Sequence, residues 1–201
     1  MSNNNSICYE AIQRVYRNAV VRLIRNNLRE TFPEDWSEKL HSLFTKEEWD
    51  RIRANARSTR ASGQLNTPLI DDFDLLSVSH FFNIFDKYYS VLLKNNSEEN
   101  ARELKIQKEK LLSWIKTIKD LRDPLMHPGE DDFTREDSFL LLDCARRVLL
   151  RAGLLENASE IRALMDRLLG THSIHSKAEP LEDELPPRES IVIDFVGRES
   201  E

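Results

Sequence analysis

The chain has 201 residues, of which 40% are hydrophobic and 32% are charged, and its formal net charge is −6. This composition is typical of one soluble globular domain with or without an appendage. Few glycines and prolines and two distant cysteines, Cys8 and Cys144, exclude a turn-rich all-β chain and a disulfide scaffold. Because the sequence has neither a secretory signal pattern nor a long apolar run, we expect a cytoplasmic protein with no membrane partner.

The first predicted element is a strongly amphipathic helix over residues 9–30, ended by Phe32-Pro33. Apolar side chains occupy one side of its helical wheel, and the other side carries Arg14, Arg17, Arg22, Arg25 and Arg29. This arginine face predicts either a solvated surface with salt bridges to neighbouring elements or an RNA-binding surface. In the second case Arg14, Arg22 and Arg25 would contact phosphates.

Three helices are predicted in the middle of the chain. Thr45-Lys46-Glu47-Glu48 has the pattern of a capping box and predicts a short helix through about Arg57. The most apolar segment, residues 71–93, is predicted to be one buried central helix. Residues 98–121 are predicted to form a long helix capped by Ser97.

The last part of the helical region begins with an irregular segment, since residues 122–129 contain two prolines and one glycine. Thr134 is predicted to begin a helix through about Ala152, with Gly153 just after its end. A final helix is predicted over residues 158–169.

These elements predict an all-α fold, an antiparallel helical bundle, for residues 1–170. Residues 171–190 are predicted to be an acidic linker, and residues 191–201 contain one possible short strand. Residues 171–201 hold three basic and eight acidic residues, so most of the net charge lies there. The overall charge therefore does not exclude a nucleic-acid ligand for the helical part.

The segment Arg122-Asp123-Pro124-Leu125-Met126-His127 carries the residues best suited to catalysis. Arginine presents a planar fork of donors that matches phosphate oxygens, and histidine exchanges a proton near neutral pH. Together they suit RNA cleavage, in which a 2′-hydroxyl attacks the adjacent phosphate while a base removes its proton. Such a reaction needs no metal ion. Taken alone, this spacing is more often that of an ion pair beside a capping group.

The context of this segment resembles a known family. Arg-Asp-x3-His-Pro, after a long amphipathic helix and before a Thr-capped one, resembles the Arg-polar-x3-His signature of the HEPN superfamily (higher eukaryotes and prokaryotes nucleotide-binding). The part of the N-terminal helix from Val15 onward, running to Trp36, and the Asp74-Leu-Leu-x8-Phe85 segment are similar to Swt-type HEPN domains. The resemblance covers residues 6 to about 155.

The resemblance implies a homodimeric or higher oligomeric helical bundle that cleaves RNA, tRNA being one expected substrate, to leave a 2′,3′-cyclic phosphate. It also implies roles for three residues: His127 as general acid or base, Arg122 as the phosphate ligand and Asp123 as the group that orients them. Pro124 departs from the common pattern, and we expect it to disturb the helical turn between Arg122 and His127. The alternatives are a catalytically inactive HEPN module that dimerises or transmits a signal, and a toxin-like binder of nucleotides or proteins.

Residues 195–201, Phe-Val-Gly-Arg-Glu-Ser-Glu, resemble the hydrophobic-Gly-Arg-Glu-x-Glu signature that opens the nucleotide-binding module of STAND-type and AAA-like ATPases. This resemblance implies an ATPase module in cis after residue 201, and a role in prokaryotic anti-phage defence. No P-loop pattern occurs in the sequence, so we expect no cofactor within this chain and ATP only in that further module.

Other histidines are predicted to have structural roles. His80 is expected to be a core or interface group, and His172-Ser-Ile-His175, despite a metal-compatible spacing, is not predicted to be a metal site.

Overall fold

A computed structural model describes residues 3–61, 71–93, 101–126 and 134–170. These ranges are helical and contain no strand, which confirms the predicted all-α fold. The predicted acidic linker (171–190) and the possible strand (191–201) lie outside the described residues. In chain order the elements are α1 (Asn3–Tyr9), a π-helical segment (Glu10–Tyr16), α2 (Arg17–Thr31), α3 (Trp36–His41), α4 (Lys46–Ala61), two 3₁₀ turns (Asp72–Leu75 and Val78–His80), α5 (Phe81–Leu93), α6 (Ala101–Met126), α7 (Arg135–Arg151) and α8 (Leu155–Leu169).

The long N-terminal helix confirms the predicted amphipathic helix and begins earlier than predicted. The segment α1, the π-helical segment and α2 follow one another without a break, because Tyr9 and Tyr16 at the two junctions both have helical backbone angles. Their apolar side is fully buried, as shown by Ile12 and Ile24. The helix ends at Phe32, whose φ of −131° is extended, before Pro33.

Side-chain caps set the ends of several helices where the sequence predicted them. Thr45 N–H donates to Glu48 Oε2 (2.7 Å) and Glu48 N–H donates to Thr45 Oγ1 (3.2 Å), which is the predicted capping box of α4. At α7, Asp137 N–H donates to Thr134 Oγ1 (3.0 Å). Gly153 follows α7 with a φ of +72°, a backbone conformation that favours glycine, and thereby confirms the predicted helix end.

The prediction of one helix over residues 71–93 is wrong in its first ten residues, which form the two 3₁₀ turns. Asp71 Oδ1 accepts from Phe73 N–H (3.0 Å), so a side chain replaces a helical acceptor. Arg17 then donates hydrogen bonds to the carbonyl oxygens of Asp74 and Leu76, both at 2.8 Å. A continuous helix would need these oxygens as acceptors for its own N–H groups. The helix α5 therefore begins only at Phe81.

The prediction that residues 122–129 are irregular is wrong for the first five, since α6 continues through Pro124 to Met126. Proline already has a helical φ, and what it removes is one N–H and therefore one hydrogen bond near the helix end. Packing offsets that loss, because α6 buries Leu111, Ile115 and Ile118 against its neighbours. Residues 127–130 lie outside the described residues.

The core lies between the N-terminal helix, α5, α6, α7 and α8. Aromatic rings contribute a large part of it, for instance the edge-to-face pair of Tyr16 and Phe81 at 5.9 Å between ring centroids. None of the described helices is long and apolar enough to span a membrane.

The hydroxyl group of Tyr16 is buried in this core without a hydrogen-bond partner, and burial raises its pKa above the usual range. We expect Tyr16→Phe to increase the free energy of unfolding by about 1 kcal/mol, because a buried polar group with no partner is removed. The control is Tyr88→Phe, because the Tyr88 hydroxyl donates to Lys39 O at 3.1 Å. This variant should lower the free energy of unfolding by about 1 kcal/mol. Urea unfolding of both variants measures the difference, and equal effects would contradict the assignment.

Candidate functional site

The arginine face of α2 is anchored to the segment before α5. Arg25 Nη2 lies 2.9 Å from Asp71 Oδ1 and 2.6 Å from Asp74 Oδ1, and Arg29 Nη2 lies 2.8 Å from Asp71 Oδ2. The side chain of Asp71 is only 9% exposed, so this ion pair is largely shielded from water. Both carboxylates raise the pKa of Arg25 by hydrogen bonds and charge, against the lowering effect of burial.

The three arginines predicted to contact RNA differ in their surroundings. Arg25 is held by the two carboxylates, Arg22 Nη2 donates to Asn157 Oδ1 (3.3 Å), and Arg14 is exposed. The salt-bridge alternative therefore describes Arg25, whereas RNA contact by Arg14 and Arg22 stays a prediction.

We expect Arg25→Met to lower the free energy of unfolding by about 1–3 kcal/mol, because it leaves Asp71 and Asp74 without this cation in a partly dry position. The exposed Arg14→Met is the matched control and should change it by less than about 0.5 kcal/mol. Chemical denaturation measures both. If the two variants were equally stable, Arg25 would have no structural role.

The predicted catalytic arginine lies in the last turns of α6 and is mostly buried. The Arg122 side chain is 18% exposed, and its Nη1 lies 3.3 Å from Oδ1 of the neighbouring Asp123, which is 58% exposed. Arg122 Nε is buried with no hydrogen-bond partner. His127, the predicted general acid or base, lies outside the described residues.

The positive charge of Arg122 acts on a second cation, Arg17, at the start of α2. Burial lowers the pKa of the Arg17 guanidinium, the Asp74 carboxylate opposes this, and the positive charge of Arg122 adds to the lowering. Arg17 is held in place by the two backbone carbonyls described above. The two guanidinium groups therefore form a positive centre that is partly shielded from water.

His80 lies beside this positive centre, at the end of the second 3₁₀ turn. Its Nδ1 accepts from Ser77 N–H at 2.9 Å, so the proton of the neutral ring is on Nε2. Burial and then the charges of Arg122 and Arg17 lower the pKa of His80 to about 4; Lys119 adds to this effect and Glu48 opposes it. His80 is therefore neutral at pH 7.

This shift makes the folded state sensitive to acid. Between pH 6.5 and about 4 the unfolded chain binds a proton at His80 that the native chain does not, so stability should fall as the pH falls through this window. The loss attributable to His80 is on the order of 2–3 kcal/mol. In His80→Asn, an amide oxygen can still accept from Ser77 N–H, and this component should disappear. Urea midpoints at pH 7 and pH 4.5 measure it, and the same loss in both proteins would contradict the prediction.

A cavity of about 470 Å³ opens next to His80, between α4, the start of α5 and α6. Its wall combines four kinds of side chain: cations, neutral polar groups, apolar groups and two carboxylates. The lining residues are Arg51, Lys116 and Lys119; Asn55, Ser79, His80 and Asn83; Phe44, Ile52 and Phe82; and Glu48 and Asp120.

Sequence reasoning did not find this cavity, and it expected a core or interface role for His80. One signal was present: Lys116, Lys119 and Arg122 recur every third residue, which places them along one side of a helix. The other wall comes from α4 and the second 3₁₀ turn, and no local pattern relates those segments to α6.

Comparisons of the chain with protein-family models, with curated proteins and with solved structures find no match. Within the described ranges, no group of three or more histidine, cysteine, aspartate or glutamate side chains could hold a metal ion.

Proposed function

We propose that this chain is a metal-independent endoribonuclease of the HEPN type, as the motif resemblance implies. Arg122 binds the scissile phosphate, His127 acts as general acid or base, and Asp123 orients the pair. The observation that carries the proposal is the state of Arg122: a mostly buried guanidinium beside a second cation, with a buried donor that has no partner.

A buried donor without an acceptor is unfavourable, and so is a positive charge beside another positive charge. A phosphate group relieves both conditions, because its oxygens accept from the guanidinium and its charge offsets the two cations. Asp123 supplies only a partial substitute, since it is well exposed and its contact with Arg122 is 3.3 Å long. This arrangement favours an anionic ligand at Arg122.

The part of the motif that the structure describes is helical. Because α6 continues through Met126, the backbone from Arg122 to Met126 makes about one helical turn. The expected disturbance by Pro124 is absent from the described part of this turn.

In the proposed reaction the 2′-oxygen of the substrate attacks the neighbouring phosphorus atom and loses its proton to a base. The bond from phosphorus to the 5′-oxygen breaks, and that oxygen takes a proton from an acid, leaving a 2′,3′-cyclic phosphate and a 5′-hydroxyl. Arg122 stabilises the charge that develops on the phosphate oxygens. As the resemblance implies, a homodimer would bring two copies of Arg122 and His127 to one cleft, and single-stranded RNA such as a tRNA loop is the expected substrate.

Cleavage of a tRNA and messenger RNA pool in excess EDTA tests the proposal. We expect the wild type to cleave with cyclic-phosphate ends, and His127→Ala and Arg122→Gln each to lower the rate by about 10²–10³-fold, because each removes transition-state stabilisation. Arg162→Gln is the matched control, an exposed arginine on α8 that should leave the rate unchanged.

Two results would count against the proposal. Metal-dependent cleavage that survives His127→Ala would place the chemistry elsewhere. No cleavage by the wild type, both alone and in a chain extended by the expected ATPase module, would favour the inactive HEPN module that dimerises or transmits a signal.

A further inference from the structure

The cavity beside His80 has an arrangement that the catalytic proposal does not use. Its deeper part is apolar and aromatic: Ile52 is buried, and Phe44 and Phe82 are half-buried. Its outer part is cationic, since Arg51, Lys116 and Lys119 are exposed. An open cavity with this division suits a ligand that has a flat apolar body and an attached anion.

A nucleotide has this chemistry, because its base stacks on aromatic rings and its phosphate binds lysine and arginine. We infer that the cavity binds one nucleotide of the RNA substrate, adjacent to the scissile phosphate held by Arg122. This inference rests on the proposed function for the position of the neighbouring phosphate. A free nucleotide has the same chemistry as one nucleotide of RNA.

The position of the cations on α6 relates the cavity to the catalytic arginine. Lys119 precedes Arg122 by one helical turn and Lys116 by nearly two, which corresponds to about 4.5 and 9 Å along the helix axis. The charge of Arg122 reaches His80 in the cavity wall. A single strand with one phosphate at Arg122 can therefore continue along this row of cations.

Neutral polar groups in the wall can contact the edge of a base. His80 offers one N–H donor from Nε2, because its Nδ1 is occupied by Ser77 N–H. Asn83 is exposed at the start of α5 and its amide both donates and accepts. The phenyl ring of Phe44 is fixed by edge contacts of 5.5 Å with Trp49 and with His80. These groups give the cavity a base preference as well as an affinity for phosphate.

The two carboxylates in the wall make a simple phosphate site less suitable. Glu48 is already the acceptor of the Thr45 N–H cap, whereas Asp120 is exposed at the cavity mouth. With two negative charges beside three positive ones, inorganic phosphate should bind more weakly than a nucleoside monophosphate.

The test measures binding of fluorescein-labelled single-stranded RNA hexamers by anisotropy in the His127→Ala protein, which should bind without cleaving. We expect Lys116→Gln/Lys119→Gln to weaken binding at least 10-fold and to reduce the slope of log Kd against log salt by about two. The matched control is Lys105→Gln/Lys110→Gln, which removes the same charge from exposed positions nearer the start of the same helix.

Base recognition has a separate readout. Asn83→Ala should reduce the preference among four homopolymer hexamers while leaving the salt dependence unchanged, an effect that a general loss of positive charge does not produce. Equal weakening by the cavity and control variants, or RNA binding unchanged in the cavity variant, would overturn the inference.

The same measurements distinguish a free nucleotide from RNA, and they also test the RNA subsite and the nuclease activity separately. Direct binding of nucleoside monophosphates, with no RNA binding, would assign the cavity to a free nucleotide and overturn the RNA subsite. RNA binding that depends on Lys116 and Lys119 without any cleavage by the wild type would leave the subsite standing and remove the nuclease. Cleavage that depends on His127 with a normal KM in Lys116→Gln/Lys119→Gln would do the reverse.

Discussion

The contact between the arginines of α2 and the segment that precedes α5 determines much of the arrangement around the candidate site. Arg17 donates hydrogen bonds to the carbonyl oxygens of Asp74, in the first 3₁₀ turn, and of Leu76, just after it. Arg25 and Arg29 neutralise Asp71 and Asp74. A segment held in this way cannot extend α5 towards its N-terminus. The second 3₁₀ turn is consequently held beside α6, and it carries His80 to the wall of the cavity.

Arg17 also connects this anchored segment to the proposed catalytic residue Arg122. Arg17 donates hydrogen bonds to two backbone carbonyls, which are dipoles with no net charge, so its positive charge still acts on Arg122 and His80. Two cations and a neutral imidazole in a partly dehydrated place are unfavourable, and the carboxylates of Asp74 and Asp123 offset part of that positive charge. The native structure tolerates them because the surrounding helices bury a large apolar core. A local arrangement of this kind, stabilised by the rest of the fold, is common at functional sites.

Where the sequence predictions were confirmed, the determinants are local. Thr45, Thr134 and Gly153 act within one turn of their own positions, and the arginine and apolar sides of the N-terminal helix follow from helical geometry alone. Two of the wrong boundaries, the start of α5 and the end of α6, involve partners that are remote in sequence. Helix formation before Phe81 is prevented by Arg17, more than fifty residues away, and α6 passes through Pro124 because its apolar side packs on neighbouring helices.

By itself, therefore, the sequence determined the all-α class, several helix ends and the Arg122 motif, because periodicity, caps and residue chemistry act over a few residues. Only the tertiary structure decided that Arg25 is an anchor, that Arg122 lies beside Arg17, and that α4, α5 and α6 enclose a cavity with His80 in its wall. These features depend on which helix surfaces meet. That choice depends on the burial of apolar area by the whole chain, and no short pattern encodes it.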